Sequence, residues 1–214
     1  MIISKARKYI FVHIPKTAGT SLTLALEDRA AKDDIIIGDT PKAKRRKKRL
    51  EELQPSGRLW KHSTLADIDG IVSASELDEM FCFTLVRNPW DRAVSYYHWL
   101  RAQSFSHPAV GLSKALRFPE FLRHENTVAA FRANPASRYM TDARGLERCA
   151  AYVRMEFLEQ DLRVVEEHLG FSLTLGQVNT SNRSENYRGY YDESLAAFLG
   201  ELCAEDVTRF NYQF

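Results

Sequence analysis

Two short apolar runs, each passing through a tight turn into a helix-like segment, constrain this chain more than any other feature. Tyr9-Ile-Phe-Val-His-Ile14 is continuous rather than alternating, the pattern of a strand buried on both faces. Pro15 to Gly19 interrupts it, and Ser21-Leu-Thr-Leu-Ala-Leu-Glu27 follows with helical character. Met80-Phe-Cys-Phe-Thr-Leu-Val86 repeats the arrangement, running into Arg87-Asn-Pro-Trp90 and then a helix through Leu100. A proline just after the strand suits the first turn of that helix. Two such units imply an α/β fold of three layers, a central parallel sheet flanked by helices.

The rest of the chain fits around them. Asp34 to Gly38 reads as a second short strand, and residues 41–53 as a very basic helix or loop ended by Pro55-Ser-Gly57. The region 104–148 is helical and irregular, with Pro108, Pro119 and Pro135 as breaks. Ala151 to Met155 is a further strand, Leu158 to Leu169 a helix stopped by Gly170, and Asp192 to Phe210 a last helix. With 214 residues and no linker-like or repeated segment, one domain over 1–214 is expected.

Composition narrows the partners. A net charge of +2 is too balanced to predict a nucleic acid from bulk electrostatics. Residues 42–49, KAKRRKKR, nevertheless hold seven of the thirty basic residues and no acidic one. Either a solvated helix face or a site for a polyanionic acceptor explains such a run. Nucleic acid fits it less well, because no aromatic residue is interleaved for base stacking. Cys82, Cys149 and Cys203 are scattered and odd in number, which suits a reducing compartment. No signal-peptide pattern opens the chain, and no apolar run approaches the roughly 18–20 residues of a membrane span. The expectation is a cytoplasmic protein; the oligomeric state is left open.

The chemistry concentrates at the two turns. Residues 13–21, HIPKTAGTS, lie where a strand meets a helix start, whose unpaired N–H groups and dipole favour a phosphate. Gly19 lets the backbone come close, Thr20 and Ser21 add hydroxyls, and Lys16 adds a full charge. An ordinary turn capped by Ser or Thr has the same composition. The GxxxxGK[ST] loop of ATPases does not match, since lysine precedes the glycine here. At the second turn, Arg87 and Ser95, eight residues on, can converge on one anion through a planar fork and a hydroxyl. An arginine and a helix serine with no ligand fit the same spacing. Arg92 reads as a structural ion pair ahead of a ligand. Between the turns, Trp60-Lys-His-Ser-Thr64 carries His62, a residue type suited to taking a proton from an acceptor hydroxyl. A surface or structural histidine is the alternative, and His13 reads as packing beside its strand.

HIPKTAGTS resembles the 5'-phosphosulfate loop of the PAPS-dependent sulfotransferases, in the branch that includes carbohydrate and many bacterial members. PAPS is 3'-phosphoadenosine 5'-phosphosulfate. The resemblance implies a P-loop-like sulfotransferase fold and a donor site in which Lys16 contacts the bridging oxygen. Thr17, Ala18, Gly19, Thr20 and Ser21 would hold the 5'-phosphate, and Arg87 with Ser95 the 3'-phosphate. It also implies a catalytic histidine or carboxylate in the interval that contains His62. The polar stretch Asn179 to Tyr187 resembles a segment that closes over the donor, so that Arg183 is a further donor-contact candidate beside a solvated-loop reading. The implied reaction moves a sulfuryl group to a hydroxyl or amine of a small-molecule or carbohydrate acceptor, releases PAP, and requires no metal. A Mg²⁺-dependent nucleotide phosphotransferase and a non-catalytic PAP or sulfated-ligand binding protein are the alternatives.

Overall fold

Five strands form one sheet in the order β3-β1-β2-β4-β5: β1 (Ile2–Ser4), β2 (Tyr9–Val12), β3 (Ile35–Ile36), β4 (Phe81–Val86) and β5 (Ala151–Arg154). The computed structural model describes residues 1–176 and 186–214. The sheet is mixed. β2, β4 and β5 run parallel, with Phe11 beside Phe83 and Leu85 beside Val153. β1 is antiparallel to both β2 and β3. The central parallel part agrees with the sequence expectation, and the antiparallel edge does not. Its cause is local: only Lys5 to Lys8 separate β1 from β2, a length that permits a hairpin and no crossover. Lys8 turns the chain with φ 51°.

Both faces of β2 and β4 are covered, which explains why they read as continuous apolar runs. One face presents Tyr9, Phe11, Phe83, Leu85 and Val153. Leu22 and Leu26 of α1 (Gly19–Asp28) pack there at i,i+4 spacing, together with Ala43 of α2 (Pro41–Arg46) and with Val165 and Leu169 of the helix at Arg163–Leu169. The alternate residues Ile10, Val12, Cys82 and Thr84 face the other way and are buried too. Just before β4 comes α3 (Ala74–Asp78), which opens with a capping box between Ser73 and Glu76.

The chain packs as two compact units, one reaching to Val86 and resuming at Ala136, the other covering Arg87–Pro135 and the C-terminal segment. The second unit contains α4 (Pro89–Arg101), α5 (Pro108–Ala115), α6 (Phe118–Arg123) and α7 (Glu125–Arg132). The first resumes with α8 (Ala136–Met140), β5, α9 (Leu158–Asp161) and α10 (Arg163–Leu169), the last ended by Gly170 with φ 75°. α11 (Glu193–Leu202) and α12 (Ala204–Phe210) complete the second. Two segments expected as single helices are therefore split. Asp161 is held back to β5 by Arg154, through Nε at 2.7 Å and Nη2 at 2.9 Å, and the helix restarts after Leu162. Cys203, at φ −106° and ψ 25°, separates α11 from α12. Pro108 and Pro119 open helices instead of breaking them, each lying in a first turn.

Phe83 is fully buried, with ring centroids 5.4 Å from Phe11 and 6.0 Å from Tyr9. Phe83→Ala is expected to cost about 3–5 kcal/mol in urea unfolding, because the surrounding rings cannot collapse into the space. A loss below about 1 kcal/mol would show that this layer is not the core.

Candidate active site

The turn between β2 and α1 is built from unusual backbone. Lys16 (φ 67°) and Ala18 (φ 60°) are both left-handed without being glycine. Each costs roughly 1–2 kcal/mol relative to a right-handed conformation. Thr17, between them, is buried, and its hydroxyl donates to the Ile14 carbonyl at 2.9 Å, closing the turn. Such a turn aims successive amides to one side, a concavity suited to an anion. Ala18 is the N-cap of α1 and supplies no side-chain hydrogen bond, and the first turn has no acidic residue. The hydroxyls of Thr20 and Ser21, both half-buried, have no hydrogen-bond partner among the described residues. The helix start thus keeps its dipole and its hydroxyl donors for something else. Of the candidate hydroxyls, only that of Thr17 is committed to the fold.

Gly19 is required by His13. A Cβ at Gly19 would overlap the His13 imidazole, so the helix can start here only because position 19 has no side chain. The His13 ring is buried, stacks on Phe11 at 6.1 Å and meets the edge of His62 at 4.8 Å. Burial holds its pKa well below the usual histidine value. Sequence reasoning missed this wedge, although its adjacency to the lysine turn was visible.

His62 stands beside the same turn. Its Nδ1 lies 2.8 Å from the His13 carbonyl oxygen. A carbonyl can only accept, so Nδ1 carries the proton and, in the neutral ring, Nε2 carries the lone pair. Burial lowers the His62 pKa to about 4, so the neutral ring prevails near pH 7. Trp60 packs at right angles to it, centroids 4.9 Å apart, with the Arg58 guanidinium 5.5 Å from the indole. Ser63 ties this loop together: its hydroxyl accepts from Trp60 N at 2.9 Å and lies 2.9 Å from the Arg58 carbonyl. His107 and His124 are instead helix N-caps, and His168 stacks on Phe81.

In the second unit, Asn88 caps α4 by accepting from Trp90 N at 3.1 Å, with Pro89 in the first turn. Arg87 donates through Nε (2.8 Å) and Nη2 (2.6 Å) to one oxygen of Asp91, one helical turn on. Asp91 therefore fixes the plane of the guanidinium. The i,i+4 spacing of the pair was the sequence signal, and it went unused. Ser95 lies buried on α4, and its hydroxyl has no hydrogen-bond partner among the described residues. Arg92 faces Asp206 at 3.9 Å, in keeping with the structural role expected for it. Arg183 lies outside the described residues.

The family model described as Sulfotransferase family matches residues 1–213, and the chain belongs to that family. Among solved structures, mouse sulfotransferase SULT7A1 complexed with PAP is similar, at 14% identity. That likeness covers 96% of this chain and 85% of the other, with a TM-score of 0.49. No curated protein matches the chain.

Gly19→Ala is expected to lower stability by about 1–3 kcal/mol, the cost of overpacking against the buried ring. In a His13→Ala background the same substitution should cost less, a coupling that a double-mutant cycle of urea midpoints reads directly. Equal costs in both backgrounds would mean that the wedge does not constrain the turn.

Proposed function

We propose that this protein transfers a sulfuryl group from PAPS to an acceptor hydroxyl or amine, releasing PAP, with His62 as general base. The observation that carries the reading is the neutral His62 ring, its Nε2 lone pair left for a proton, one hydrogen bond away from the lysine turn. Membership of the sulfotransferase family supports the donor, and the turn's uncapped helix start supports the phosphate end of it.

In this mechanism the acceptor oxygen or nitrogen forms a bond to sulfur while Nε2 of His62 takes its proton. The bond from sulfur to the bridging phosphate oxygen breaks in line with the attack. Lys16 and the amides at the start of α1 offset the charge that develops on that oxygen and on the 5'-phosphate. Thr20 and Ser21 donate their hydroxyls to the same phosphate. Arg87, held flat by Asp91, and Ser95 take the 3'-phosphate. The Nδ1–H bond to the His13 carbonyl keeps Nε2 as the basic atom and stabilises the imidazolium formed in the transition state.

Calorimetric titration with PAP and with ATP, each with and without Mg²⁺, tests the donor assignment. Metal-independent PAP binding is expected, weakened on the order of ten- to a hundredfold by Arg87→Ala as one charged hydrogen-bonding partner is lost. Preference for ATP with Mg²⁺ would overturn the proposal in favour of phosphoryl transfer.

The base assignment has its own signature. His62 must be neutral to act, so kcat/KM should hold steady down through mildly acid pH and fall only as the ring protonates near its pKa of about 4. His62→Ala should lower kcat by roughly 10²–10⁴-fold and leave PAP affinity unchanged. An acid limb at the ordinary histidine value, or wild-type turnover in the variant, would remove His62 from the role.

A further inference from the structure

The arginine at the start of the second unit is held by one edge. Arg87 gives both Nε (2.8 Å) and Nη2 (2.6 Å) to a single oxygen of Asp91. Both bonds lie on the Nε side of the guanidinium. Its outer edge, Nη1 with the second hydrogen of Nη2, is not engaged by Asp91. The pair is sheltered as well: the Arg87 side chain is 10% exposed and that of Asp91 17%. A fully exposed pair at this spacing contributes little, because solvent and salt screen it. A sheltered one keeps a long, rotamer-rich side chain in a single orientation.

Two plainer roles account for part of this. An acid in the first turn of a helix stabilises the dipole, and Asp91 is the acid of that turn in α4. That role requires no arginine. An ion pair that merely ties elements together requires no fork, as the neighbouring Arg92 shows in meeting Asp206 at 3.9 Å. The Arg87 pair does more than either. Asp91 and Ser95 stand one turn apart on α4, so the arginine edge and the buried serine are referenced to one face of the same helix.

Charge alone argues against an acid in this place. A carboxylate beside an anion site offsets the attraction of the arginine, so Asp91 weakens the pull on anions in general. What it supplies is direction. A guanidinium fixed at one edge presents the other as two parallel N–H donors, which two oxygens of a phosphate satisfy together and one hydroxyl does not. Offset charge with fixed direction therefore favours a group with two acceptor oxygens over any single polar atom.

We propose that Asp91 is a specificity-determining residue: by presenting Arg87 edge-on, it lets the site take a nucleotide with a 3'-phosphate and pass over the same nucleotide with a 3'-hydroxyl. The identity of the nucleotide rests on the sulfuryl-transfer reading. Asp91 acts through Arg87 and is a positioning residue.

The test measures, by calorimetry, binding of PAP and of adenosine 5'-monophosphate, which is PAP without its 3'-phosphate. It compares the wild type, Asp91→Asn and Asp91→Ala, with a urea midpoint for each so that affinities refer to folded protein. The two variants carry the same charge. They differ in that Asn keeps an acceptor oxygen for Arg87 and Ala removes it, so the comparison between them isolates orientation. The expected result is PAP affinity within about threefold of wild type for Asn and about tenfold weaker than that for Ala, the scale of re-ordering a long side chain on binding. Affinity for adenosine 5'-monophosphate should be the same in all three. Equal PAP affinity in the two variants would overturn the proposal. So would a loss for Ala that is equal for both nucleotides, which is what a purely structural role gives. A wild type that binds PAP no more tightly than adenosine 5'-monophosphate would remove the 3'-phosphate from Arg87 altogether, and the donor assignment would fall with the proposal. A wild type that discriminates while the variants match each other overturns the proposal alone.

Discussion

The turn from Ile14 to Gly19 holds two left-handed residues that carry side chains, and the site is arranged around that strain. Something must repay it in the folded state. The Thr17 hydroxyl closes the turn on the Ile14 carbonyl, and the His13 ring fills the space left at Gly19. The resulting backbone leads into a helix start that no side chain caps. An anion in that position would complete the electrostatics, which is why strain of this kind accumulates at binding sites.

His13 links the lysine turn and the His62 ring within the first unit. Its ring sets where α1 begins, and its carbonyl sets which nitrogen of His62 is basic. One residue thus references both the lysine turn and the His62 ring to the end of β2. Burial contributes in the same direction: it depresses the pKa of both imidazoles, so two adjacent rings remain neutral instead of repelling as cations. In the second unit the equivalent economy is Asp91, which orients Arg87 without leaving α4.

Much of this was legible in the sequence, for identifiable reasons. β2 and β4 are buried on both faces and so read as continuous apolar runs. The places of Lys16 and Arg87 followed from the handover of strand to helix. The hairpin of β1 with β2 was not legible, because three residues before a polar turn carry no periodicity that distinguishes parallel from antiparallel pairing. Left-handed backbone at Lys16 and Ala18 left no trace either, since neither is glycine. His13 read as the tail of a strand, and what matters in it is a carbonyl oxygen and a ring edge. The cations of 42–49 look alike in sequence; only the fold separates Lys42, Arg46 and Arg49, which donate to carbonyls, from Lys44, Arg45, Lys47 and Lys48.

The most direct test of the account is nitrogen-15 NMR of the histidine rings across a pH titration, with His62 assigned by comparison with His62→Ala. The account predicts a His62 ring protonated at Nδ1 and bare at Nε2 near neutral pH, titrating only near a pKa of about 4. A ring that carries its proton on Nε2, or that titrates at the ordinary histidine value, would contradict it.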